Sequence, residues 1–244
     1  NTVIEIRVPR ANAYIDNVES NRVLSNRAIR VVVDAGKPKV VVYGHIFAGA
    51  RSAASLILPK DALGQQYFSM NYTSGNTMDG GLNHSEPDTK IFFKQNGVDL
   101  IAGGVVLPKA GDVYQYLSVQ DLTGVSVSVD PATSACKKFA MFSGTTNSSI
   151  TAATGCAGNV SSDPLYQQNY PVESWGKTYG FVPFSSRSPL GANVRTRGNF
   201  IRVVAKENDT PVQFNGALVA TLNAGQYYQT PSPTNTPTYI SSTK

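Results

Sequence analysis

The sequence predicts an all-β fold built as two similar tandem β-sandwich-like units related by internal duplication. Three observations lead there. Helical periodicity is almost absent along the 244 residues. Short runs of Val, Ile, Tyr and Phe recur between Gly, Asn, Asp and Pro turns, the pattern of many short strands. A skeleton also repeats: Pro59-x4-Gly64-x2-Tyr67 returns 112 residues later as Pro171-x4-Gly176-x2-Tyr179. A second echo keeps the same order, Asn96-Gly97 and Ala110-Gly111-x2-Tyr114 against Asn215-Gly216 and Ala224-Gly225-x2-Tyr228. Two echoes at nearly one offset point to a duplicated unit. The units are placed at residues 1–120 and 121–244, with the break near 117–122. A single propeller-like closed array is the alternative architecture.

In chain order, strands are expected over residues 2–8, 28–33, 40–44, 55–58 and 67–72. Further strands are expected over 90–94, 104–107, 113–117, 125–129 and 138–142. The second half adds 178–184, 200–205, 212–214, 218–222 and 227–230. Asn96-Gly97 and Asn215-Gly216 supply the positive φ angles of tight hairpins. Val125-Ser-Val-Ser-Val129 alternates strictly, so one face packs and the other is wet. Residues 75–88 show no periodicity and read as a long polar loop of the kind that carries function. Residues 145–163 read as a second loop. The Pro/Ser/Thr stretch 231–237 reads as a linker or an edge loop.

Charged residues make up 15% of the chain, below the roughly 25% of an average soluble domain, and Ser, Thr, Asn, Gly and Tyr fill the gap. That is the surface of an extracellular β-protein. The net charge is +5, but no long Lys/Arg run exists. With no recognition helix or zinc module, nucleic acid is not expected as a partner. The basic cluster Arg187, Arg195, Arg197, Arg202 and Lys206 reads as a solvated face or as an anion-binding patch. No apolar run reaches the ~20 residues of a membrane span. The chain opens and closes without a leader-like segment and is read as a mature form or as a piece of a longer polypeptide.

Cys136 and Cys156 are the only cysteines. A disulfide between them is expected in preference to two buried free thiols, and it implies an oxidising compartment. Catalytic chemistry is sparse. His45 ends an apolar strand and reads as structural; His84 reads as solvated. No G-x-S-x-G elbow exists. Close carboxylate pairs of the glycosidase kind are not legible in sequence. Asn76, Asp79, Asn83, Glu86 and Asp88 offer oxygens suited to Ca²⁺, though in no EF-hand spacing. The chain is otherwise read as needing no cofactor or metal. Tyr67, Tyr114, Tyr179 and Tyr228 recur in the repeat and read as core or corner packing. Trp175 stands where Leu63 stands in the repeat and reads as buried. N-x-S/T sequons occur at Asn71, Asn83, Asn147, Asn159 and Asn208.

The stretch Lys137-Lys-Phe-Ala-Met-Phe-Ser-Gly144, then Cys156, then Asp163-Pro-Leu-Tyr-Gln-Gln leading to Pro171-Val-Glu-Ser-Trp-Gly176 resembles the N-terminal domain of IgG-Fc-binding proteins. Phe200-Ile-Arg-Val-Val-Ala205, the turn Asn215-Gly216 and Leu222-Asn-Ala-Gly-Gln-Tyr-Tyr228 are similar to the same family. So are Ala28-Ile-Arg-Val-Val-Val33 and Leu58-Pro-Lys-Asp-Ala-Leu-Gly64. The resemblance implies a place in mucus-associated animal proteins or large bacterial surface proteins. The Asp163-Pro-Leu-Tyr-Gln-Gln168 version looks more like the bacterial members. It carries over no catalytic motif.

The function expected is a non-enzymatic adhesion or binding module of a secreted or surface-anchored protein. Its partner would be an extracellular glycan or a surface protein. Recognition is placed on Asn76, Asp79 and Asn83 of the first long loop and on Arg187, Arg195, Arg197 and Arg202. A carbohydrate-active enzyme or its accessory domain, and a structural spacer, are the other readings.

Overall fold

The computed structural model describes residues 2–49, 51–72, 76–148, 162–183 and 199–244. Eighteen strands run in order through it. They are β1 (Val23–Leu24), β2 (Val42–Ala48), β3 (Arg51–Ile57), β4 (Gln66–Phe68), β5 (Thr77–Asn83) and β6 (Thr89–Gln95). Then come β7 (Val98–Asp99), β8 (Val105–Leu107), β9 (Val113–Ser118), β10 (Ser126–Val129), β11 (Phe139–Ser148) and β12 (Asp163–Gln168). The last six are β13 (Thr178–Phe181), β14 (Arg202–Val204), β15 (Thr210–Phe214), β16 (Ala217–Leu222), β17 (Tyr227–Gln229) and β18 (Thr238–Ser241). Among the described residues helix is limited to single turns, among them Lys60–Ala62 and Val172–Ser174.

Two sheets enclose the larger core. One has the order β1-β9-β5-β11-β12; the other is β4-β10-β6-β7, with β8 on β6. Tyr67, Ile91, Phe93, Leu107, Val127, Phe139 and Met141 meet between them. A second core gathers Ile201, Ala205, Val212, Leu222 and Ile240. It lies between the sheet β13-β18-β15-β16 and the ribbon β14-β17. A β2-β3 hairpin stands beside β12, tied by the Ser55 hydroxyl, which accepts from Gln168 N at 2.8 Å. No barrel closes among these sheets. Strands before and after residue 120 share both sheets of the larger sandwich: β10 lies between β4 and β6, and β11 between β5 and β12.

Each echoed motif folds alike in its two places. Pro59 and Pro171 both start a 3-10 turn with nearly the same backbone, φ −67° in each. Gly64 N donates to the Tyr67 hydroxyl at 2.8 Å, and Gly176 N to the Tyr179 hydroxyl at 2.8 Å. Both Asn-Gly pairs sit at positive φ, 51° and 81° in one and 50° and 85° in the other. Asp112 N donates to Lys109 O at 3.1 Å, and Gln226 N to Asn223 O at 2.9 Å. Thr89 and Thr210 hydroxyls each donate back three residues, to Glu86 O at 2.8 Å and Glu207 O at 2.7 Å.

Several expectations change. Residues 75–88 are not a long loop: β5 occupies Thr77–Asn83 at the centre of a sheet, paired to β9 and β11. Its Asp, Asn and glycines carry little strand propensity, and pairing on both edges overrides that. β12, which carries Asp163 and Pro164, and β18, which follows the Pro/Ser/Thr stretch 231–237, were not expected either. Residues 2–8 are exposed and form no strand, and residues 28–33 form none either, although Ala28 N donates to Gly111 O at 3.4 Å. A strand needs a neighbour's backbone, and propensity does not supply one. The expected Cys136–Cys156 bridge is not made: Cys136 is exposed with a free thiol, and Cys156 lies outside the described residues. The turn after β10, held by Ser134 N to Asp130 O at 2.8 Å and Lys137 N to Ser134 O at 3.0 Å, leaves the Cys136 side chain in solvent.

Candidate functional site

The described ligand candidates fall in two places, and the structure gives them different work. The first is the junction between the two cores. Ile201 turns into the smaller core, so strand alternation sends Arg202 the other way. There its Nη1 donates to Asn71 O at 2.6 Å, Thr123 Oγ1 at 2.8 Å and Asp121 Oδ2 at 2.9 Å. Its Nε donates to Gln229 Oε1 at 2.6 Å. The guanidinium lies over the rings of Tyr72 and Tyr227, 4.6 Å from each centroid. The planar head of Arg suits such stacking. The Arg202 and Asp121 side chains are 14% and 20% exposed.

Burial alone would raise the Asp121 carboxyl. The hydrogen bonds from Thr123 and the Arg202 charge outweigh it and hold the group below its ordinary value. Arg202 is therefore a compensated cation that ties the smaller core to the larger one. It is not a free anion receptor. Arg187, Arg195 and Arg197 lie outside the described residues.

The second place is the interior face of β5. Asp79 is fully buried. Its Oδ1 accepts from Ser69 Oγ at 2.7 Å, Asn71 Nδ2 at 3.0 Å and Ser143 Oγ at 3.0 Å. Burial drives its carboxyl up to about 7, against the three hydrogen bonds, which lower it. Oδ2 is buried without a hydrogen-bond partner. Asn83 is also buried. Its amide donates to Glu86 O at 2.7 Å and Leu107 O at 2.9 Å. Asn76 lies at the edge of β5, its backbone paired with Thr146. Asp79 and Asn83 thus hold the sandwich from within. The sequons at Asn71 and Asn83 are buried with them.

Among the described residues no three His, Cys, Asp or Glu side chains gather as a metal site. No helix there is long and apolar enough to cross a membrane. Among the described residues the arrangement offers exposed strand surface and exposed aromatic side chains. Sequence reading did not find the role of Tyr72 and Tyr227 beside Arg202.

The described residues thus form a β-sandwich with a second, smaller β core beside it. A family model described as IgGFc binding protein matches residues 53–244. The chain belongs to that family, a family of binding domains. No curated protein and no solved structure matches this chain.

Proposed function

We propose that this chain is a non-enzymatic recognition module of a secreted or surface-held protein, and that it binds a protein partner. Family membership over residues 53–244 carries the reading. Exposed aromatic groups support it: Tyr43, Phe47, Tyr170 and Tyr239 all stand in solvent, and rigid amphipathic rings suit recognition. Binding of the purified chain to an immunoglobulin Fc fragment, a mucin-type glycoprotein and an acidic polysaccharide, measured by biolayer interferometry, tests it. Saturable binding to a protein is the expected result. Binding to the polysaccharide alone moves the reading to a glycan partner. Steady turnover of the polysaccharide would replace it with the enzyme reading.

We also infer that the chain is a duplicated unit, with its boundary near residue 139 rather than 121. The matched turns and hydrogen bonds support this, as does strand order: β4-β10-β6-β7 corresponds to β13-β18-β15-β16. In each unit a hairpin, β2-β3 or β11-β12, precedes the Pro-Gly-Tyr turn. The salt dependence of binding tests the remaining Arg residues. A contribution from Arg195 and Arg197 would weaken as salt shortens the screening length below about 8 Å, and Arg195→Ala/Arg197→Ala would remove that dependence.

A further inference from the structure

The two units differ in the pairing of one equivalent strand, and the difference leaves matching surfaces at opposite ends of the chain. In the first unit β5 is paired on both edges. On one side Gly81 faces Tyr114 of β9, Asn83 N donates to Asp112 O at 3.0 Å and Gly111 N to Asn83 O at 3.0 Å. On the other side Gly80 and Leu82 face Phe142 and Ala140 of β11. In the second unit β14 holds the place of β5. Val203 faces Tyr228 of β17, Ala205 N donates to Gln226 O at 3.0 Å and Gly225 N to Ala205 O at 2.9 Å. Among the described residues nothing pairs with the other edge of β14.

The missing strand shows in a side chain. In the first unit the Tyr67 hydroxyl accepts from Gly64 N and donates to Phe139 O of β11 at 2.6 Å. Phe139 also pairs with Gly64, and Tyr67 is 0% exposed. Tyr179 accepts from Gly176 N in the same way. No described carbonyl receives its proton, and Tyr179 is 50% exposed.

The strand that fits is present in the chain. Each of β2 and β11 carries one glycine, Gly44 and Gly144, and each forms a hairpin with the strand that leads to the Pro-Gly-Tyr turn. With the glycines aligned, Val41 and Tyr43 fall where β11 places Met141 and Ser143. Those two are buried in the sandwich, whereas Val41 and Tyr43 are 73% and 70% exposed. Among the described residues β2 pairs only with β3, so its other edge is open as well. An open edge with an apolar face is a template for strand addition.

We propose that β2 of one copy adds antiparallel to the free edge of β14 in a second copy, taking there the place that β11 takes on β5. This rests on the duplicated-unit reading. The added strand covers Tyr179 and offers it a carbonyl. The contact is heterologous, so each pair keeps one open β14 and one open β2, and further copies add head to tail.

Sedimentation velocity over a hundredfold range of concentration reads the outcome. The wild-type chain forms concentration-dependent dimers and longer species. Val41→Lys/Tyr43→Lys changes only exposed side chains of β2 and weakens association by about tenfold or more. Val204→Pro removes an N–H from the free edge, since residues 201 and 205 turn to β17 and 204 turns away. Tyr179→Phe, which leaves the fold alone, is the safer second variant and weakens association several-fold. Mixing the β2 variant with the Val204→Pro variant restores a 1:1 dimer that does not grow, because only one working interface remains. A monomeric wild type at all concentrations overturns the proposal. So does association that the β2 variant leaves unchanged, or mixing that restores nothing. Failure here with intact partner binding leaves the recognition reading in place.

Discussion

Asp79 has a carboxyl that titrates near neutrality inside a β-sandwich, and its surroundings state why. Three hydrogen bonds reach one oxygen, but full burial costs the charged form more than they return. The folded value, about 7, lies above the ordinary 3.8. The stabilisation therefore belongs to the protonated form: it is complete below about 3.8 and is lost as pH rises through about 7. Asp121, held low, works in the opposite sense and loses its contribution as the medium turns acid. The melting temperature of the wild type should thus fall between mildly acid and mildly basic pH by more than that of Asp79→Asn. The variant keeps an acceptor for the same donors and should gain roughly 1–3 kcal/mol above neutrality. Parallel profiles for the two proteins would remove Asp79 as the cause. Arg202 gives the second prediction at this scale. Arg202→Lys keeps the charge but loses the fork and the stacking, and should cost about 1–2 kcal/mol. Arg202→Ala also strands Asp121 and should cost about 2–4 kcal/mol in denaturant titration.

At the scale of elements, one motif folded twice in different surroundings makes an internal control. Tyr67→Phe deprives two buried backbone groups, Gly64 N and Phe139 O, of their partner. It should cost about 2–4 kcal/mol. Tyr179→Phe loses one half-exposed bond and should cost less than about 1 kcal/mol. The glycines divide the same way. A Cβ at Gly64 would run into Pro171 and Glu173, while one at Gly176 meets nothing nearer than 3.7 Å. Gly64→Ala should therefore unfold the chain at a lower temperature than Gly176→Ala. Equal losses in the two pairs would mean that the surroundings, and not the motif, had been misread.

At the scale of the whole molecule, the two cores meet over a junction with little room. Gly124 faces the Gly225 carbonyl so closely that no side chain fits, and a Cβ at Gly225 would stand 2.8 Å from Gly124 O. Phe68 tilts against Trp175 across the same junction, ring centroids 5.6 Å apart. Gln65 N donates to Glu173 Oε1 at 3.1 Å. Such coupling predicts one cooperative transition, with Trp175 fluorescence and β-sheet circular dichroism coincident. Gly124→Ala should separate the two signals. If they already differ in the wild type, the junction is weaker than its geometry implies.

Residue order alone determined the β class, the Asn-Gly hairpins and the doubled Pro-Gly-Tyr turn. These rest on local chemistry: β-branched runs, positive φ at Asn-Gly, and a hydroxyl placed three residues from a glycine. Family resemblance was legible in the Trp175-Gly176 segment for the same reason. Only the tertiary structure decided that the polar run Thr77–Asn83 is a central strand, since its neighbours β9 and β11 lie far along the chain. It alone showed that Asp79 and Asn83 are interior groups and that Arg202 is spent on Asp121 and two tyrosines. Ionic and hydrogen-bond partners are chosen in space, and a one-dimensional pattern does not record which distant strand supplies them.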